Sequence, residues 1–148
     1  MLDALELGWT TESKPLSKHL LDVQELRFSR TNQLTAMSED HIKGAPYFVY
    51  HAILEDQRPF VSITPSRKDF SELRAISTKA SIAWHALFNT PYTNLLVNTV
   101  ADLQSDLGWY AGRFEKNLQP NKALALNTNA VILEAMHYHS FGPFLTNS

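Results

Sequence analysis

Asn127-Thr128-Asn129-Ala130-Val131-Ile132-Leu133-Glu134-Ala135-Met136-His137-Tyr138-His139 is the stretch on which the reading of the fold turns. The runs Ala130–Leu133 and Ala135-Met136 are apolar on nearly every side of a helix, and Gly142-Pro143 stops the pattern. The spacing predicts a helix from about Thr128 to His139. A helix apolar all round is buried all round. Such a helix belongs inside a layered all-α fold.

Working back along the chain, Gly108 and Gly112 bracket Trp109 and Tyr110 in what reads as a turn. Thr90-Pro91 opens a helix whose core face would carry Tyr92, Leu95, Leu96, Thr99, Val100 and Leu103. Ser77 or Thr78 opens another, with Ala80, Ala83, Trp84 and Leu87 on one side. Residues 31–75 hold Pro46, Pro59 and Pro65 and read as a long excursion with two short strands. Before it, a helix starts at Ser13–Pro15 and runs to about Arg30, with Leu16, Leu20 and Val23 as its apolar stripe. Residues 1–10 read as the end of a helix stopped at Gly8.

The 148 residues suit a single domain. Thirteen basic against fifteen acidic residues give a net charge of −2, which argues against phosphate-driven nucleic-acid binding and against a polybasic membrane anchor. With 44% hydrophobic and 11% aromatic residues the chain is no disordered segment. The absence of cysteine excludes disulfides, thiolate zinc sites, iron–sulfur clusters and cysteine nucleophiles. No run approaches the ~20 apolar residues of a membrane span, and the first ten residues lack the basic start of a signal peptide.

Three places carry candidate chemistry. Ser38-Glu39-Asp40-His41 sets two carboxylates beside an imidazole, a pattern that more often marks a solvated turn or a Ser38 helix cap but also suits proton transfer or metal ligation. Gly108–Glu115 joins an aromatic pair to a carboxylate. Aromatic faces stack on sugar rings and carboxylates hold hydroxyls, but a turn packing Trp109 into the core has the same signature. Asn127 and Asn129 precede the last helix, as caps or ligands, and Glu134 inside it needs a partner such as Lys79 or Arg113. The six histidines include no pair at the four-residue spacing of a helical zinc site, so no metal is expected. No phosphate-binding glycine loop, nucleophile elbow or dinucleotide fingerprint occurs, and no cofactor is expected.

Taken in series, VQELRFSRTNQLTAMSEDHI (23–42), APYFVYHAIL (45–54), LRAISTKASIAWHALF (73–88), GWYAGRFE (108–115) and NTNAVILEAMHY (127–138) resemble the C-terminal half of a bacterial domain-of-unknown-function family, number 3131. Where that family's first helix ends in glycine this chain has Asn32, which tolerates the same left-handed conformation. The family resembles the six-hairpin glycosidases. That resemblance implies part of an (α/α)6 toroid, about five of its twelve helices, with a glycan-facing cleft. It implies Glu39, Asp40 and Glu115 as candidate catalytic carboxylates, one protonating a glycosidic oxygen and another activating water. It implies Tyr50, Trp109 and Tyr110 as a sugar platform, with Asn127, Asn129 and Glu134 holding substrate. The expected partner is carbohydrate, with neither nucleic acid nor membrane insertion, in a periplasmic or envelope setting. The alternatives are a non-catalytic glycan-binding module, or a structural piece that needs a missing N-terminal half or a second copy of itself.

Overall fold

The computed structural model describes residues 1–53 and 60–146. Pro59 and the last residue of the 45–54 segment lie outside the described residues. The architecture is mixed α/β, which overturns the all-α toroid. Among the described residues five α-helices, α1 (Leu2–Leu7), α2 (Ser13–Thr31), α3 (Thr78–Phe88), α4 (Pro91–Val100) and α5 (Leu126–Phe141), accompany seven strands. Strands β1 (Glu39–His41), β2 (Phe48–Ile53) and β3 (Phe60–Ile63) form one antiparallel sheet in that order. In the second, β6 (Gly108–Phe114) is flanked by β4 (Ala75–Ser77), β5 (Gln104–Ser105) and β7 (Pro120–Leu124), all antiparallel to it.

The helices follow local chemistry. Thr90 caps α4 in a reciprocal capping box with Thr93, and Pro91 supplies a fixed φ in its first turn. α2 and α3 both end on asparagines in the left-handed region, Asn32 (φ 56°) and Asn89 (φ 46°). The buried stripe of α2 is offset by one residue from the expected one. It comprises Ser17, Leu21 and Gln24, followed by Phe28, while Leu16 and Leu20 face outward. Gln24 is drawn inward because its Oε1 accepts from the Met37 amide at 2.8 Å, tying α2 to the chain that enters β1.

α5 is likewise buried on one face only. Thr128, Val131, Ile132 and Ala135 pack inward, whereas Leu126 is 87% and Leu133 66% exposed. Its all-round apolar character therefore reflects an uncovered outer face and not an inner position. The main core lies among α2, α3, α4 and β4, built on Leu21, Ile76, Trp84, Tyr92 and Leu96. A smaller cluster of Leu5, Ala83, Val131 and Ala135 joins α1, α3 and α5.

The expected turn at Gly108–Gly112 is strand β6. Its glycines serve close approach. A Cβ on Gly112 would lie 2.3 Å from the Ile76 carbonyl oxygen on β4. Gly108 has φ 115°, and a Cβ there would lie 2.6 Å from Asn129 Oδ1. That oxygen accepts from the Trp109 amide at 2.8 Å, so Asn129 locks α5 to the start of β6.

Candidate functional site

The first sheet and the N-terminal end of α3 meet at a cluster of ionisable groups. Strand pairing sets the faces. Successive residues of a strand point to opposite sides, and directly paired residues share a side. Glu39 pairs with Tyr50 and His41 with Phe48, so these four share the outer face. Asp40 pairs with Val49, and His51 with Ser62, on the inner face.

On the outer face the Glu39 carboxylate receives Lys79 Nζ at 2.8 Å. The lysine side chain is only 3% exposed, against 44% for Glu39. Lys79 also donates to Asn127 Oδ1 near the start of α5. Burial pushes the Glu39 carboxyl up, but the Lys79 hydrogen bond, a backbone hydrogen bond and the Lys79 charge outweigh it and hold the carboxyl below its ordinary range. Beside it runs a row of rings. His41 and Phe48 lie 5.2 Å apart at 75°, and Phe48 and Tyr50 5.1 Å apart at 88°, both edge to face. Tyr50 is 44% exposed and Tyr47, in the turn before β2, more so.

On the inner face Asp40 is 1% exposed. One carboxyl oxygen accepts from Ser77 Oγ at 3.2 Å, while the other has no hydrogen bond among the described residues and lies 3.8 Å from His51 Nε2. His51 Nδ1 is 2.6 Å from Ser62 Oγ. Burial pushes Asp40 up to about 7, against the pull of Lys79 and Ser77. Burial pushes His51 down to about 4, with the positive charges of Arg74 and Lys79 adding to it and Glu115 and Glu39 opposing. The serine, histidine and aspartate resemble a nucleophilic triad in composition. Their order around the ring is reversed and all three side chains are buried, so the set is a closed internal network.

Glu115, just past β6, sits in a second cluster. Arg27 of α2 grips it with two hydrogen bonds of 2.7 and 2.9 Å, and Arg74 Nε adds a third at 3.1 Å. Arg27 also reaches Thr35 and Gln33 and lies over the Phe60 ring, 4.8 Å from its centroid. The Glu115 side chain is 5% exposed, with both oxygens engaged. Sequence reasoning missed Arg27 and Arg74. Their partner is 88 residues away from one and 41 from the other, beyond any local pattern.

The remaining candidates scatter. Trp109 and Tyr110 are half-buried, packed against the main core and not displayed as a platform. Asn127 reaches the Glu39 cluster through Lys79, while Asn129 serves the β6 backbone. Neither acts as the side-chain cap of α5, whose N-cap is Ala125. Glu134 pairs with neither Lys79 nor Arg113. Lys79 holds Glu39, and Arg113 holds Asp102. One Glu134 oxygen is buried without a hydrogen bond among the described residues, and burial together with Glu6 raises its affinity for a proton. Among the described residues no group of three histidine, cysteine, aspartate or glutamate side chains is placed to hold a metal ion, and no helix is long and apolar enough to cross a membrane.

A mixed α/β domain that buries two charge clusters under an aromatic-faced sheet is the class these observations define. The chain belongs to the family described as "Protein of unknown function (DUF3131)", whose model matches residues 1–142. No curated protein and no solved structure matches it.

Proposed function

We propose that this domain binds a bacterial poly- or oligosaccharide on the outer face of the β1–β2–β3 sheet, without cutting it. The observation that carries this is the row His41–Phe48–Tyr50 beside an ionised, lysine-pinned Glu39. Exposed aromatic faces stack on the C–H faces of sugar rings, and a fixed carboxylate accepts their hydroxyls. Turnover by paired carboxylates needs two of them flanking one bond, on the order of 5–10 Å apart and both accessible. Glu39 and Asp40 project from opposite faces, Asp40 is enclosed, and Glu115 is saturated by two arginines, which favours binding over hydrolysis. The uncovered faces of α2 and α5 support a further contact with protein, either a second copy or another segment.

Affinity electrophoresis through gels containing individual soluble bacterial polysaccharides tests the reading. Retardation by at least one of them is expected, weakened tenfold or more in Tyr50→Ala with the melting temperature unchanged. Failure of every polysaccharide to retard the intact protein would refute it. Release of reducing ends that Asp40→Asn and Glu115→Gln abolish would instead restore the hydrolase reading.

A further inference from the structure

α3 and α5 lie side by side, Lys79 near Asn127 at one end and the C-terminal halves of both helices at the other. Between those C-terminal halves is an open cleft of about 290 Å³. Its walls are mostly apolar, from Ile82, Ala86 and Ala135. Among the described residues, the nitrogen and sulfur side-chain donors lining it are His85 from α3 and Met136 and His139 from α5, the last two one turn apart, with the Ser140 hydroxyl beside them and no carboxylate.

His85 Nδ1 lies 3.2 Å from Thr93 Oγ1, which also meets the Thr90 amide at 2.8 Å and the Thr90 carbonyl at 3.0 Å. This contact engages Nδ1, and in the tautomer with the proton on Nδ1 the Nε2 nitrogen keeps its lone pair. A metal-binding histidine is held in this way, with the second nitrogen bonded to an orienting group.

We propose that this cleft binds copper(I), through the imidazoles of His85 and His139 and the thioether of Met136. Thioether sulfur selects soft ions, imidazole suits copper, and walls without carboxylate or other hard oxygen anions disfavour magnesium, calcium and manganese. Lys79 and Asn127 of the proposed glycan face lie at the N-terminal ends of the same two helices, and neither lines the cleft, so the site stands apart from that reading.

The test is anaerobic competition for copper(I) against bicinchoninate, using the intact protein. One equivalent is expected to transfer to the wild type. Met136→Leu, a near-isosteric change at a half-exposed position, should weaken binding tenfold or more and remove sulfur scattering from the copper X-ray absorption spectrum. His85→Gln should weaken it comparably while zinc(II) binding stays negligible in all forms. Failure of the wild type to compete, or copper(I) affinity unchanged in Met136→Leu or His85→Gln, would overturn the proposal. Tighter binding of zinc(II) than of copper(I) would do the same.

Discussion

The opposite shifts of Asp40 and His51 should leave stability nearly level with pH only while both members are present. Asp40 is raised from an ordinary 3.8 to about 7 in the folded protein. Between those values the folded chain holds a proton that the unfolded chain has lost, so stability falls as pH rises. His51 is lowered from 6.5 to about 4. Between those values the unfolded chain holds the extra proton, so stability rises with pH. Each slope is about 1.4 kcal/mol per pH unit. The two windows nearly coincide, and the slopes cancel. Replacing His51 with Asn keeps a donor toward Ser62 and removes the compensating titration. Urea unfolding of His51→Asn between pH 4.5 and 6.5 should then show a loss of roughly 2–3 kcal/mol on going up in pH. Asp40→Asn should show a gain of similar size over the same interval, and the wild type a nearly level curve. A level curve for His51→Asn would refute the reasoning, because Asp40 would then be titrating as it does in the unfolded chain.

Three further outcomes follow from packing. Gly112→Val places its Cβ against the Ile76 carbonyl and should cost at least 1–3 kcal/mol, about the range for overpacking, read by thermal unfolding. Glu115→Gln leaves two buried or half-buried guanidinium groups without their anion and should cost about 3–5 kcal/mol, measured by urea unfolding, with Arg27→Met and Glu115→Gln combined less costly than the sum of the two. Thr90→Ala removes the cap of α4 and should cost about 1 kcal/mol in the same assay.

The helices were legible in the sequence because their signals are local. Thr90-Pro91 announces α4, and Ser13–Arg30 carries enough helix-forming residues to mark α2 within a residue or two. Of the sheets, the two short strands expected in residues 31–75 are β2 and β3, and the other strands were hidden. β1 is three ionisable residues, β6 opens on a glycine and carries another, and β7 begins with proline, so none shows the apolar alternation that marks a half-buried strand. Apolar periodicity also says nothing about whether a face is covered, which is why α5 was placed inside a layered bundle. The Glu39-Asp40 pair was visible, but its division between two faces depends on a three-residue strand that no local signal specified. Lys79 meets Glu39 from 40 residues away, and only the folded chain reveals that contact.

β6 carries hydrogen bonds to β4, β5 and β7 and lies under α3 and α5, while β1 is a short edge strand with one partner. The chain is therefore expected to open in parts. Amide hydrogens of β6 should outlast those of β1 and β2 in exchange with deuterium, because their release needs near-global unfolding while the edge loosens locally. The face that carries Tyr50 and Glu39 thus belongs to the softer part of the molecule. It can adjust to a ligand while a stiffer sheet behind it keeps its shape.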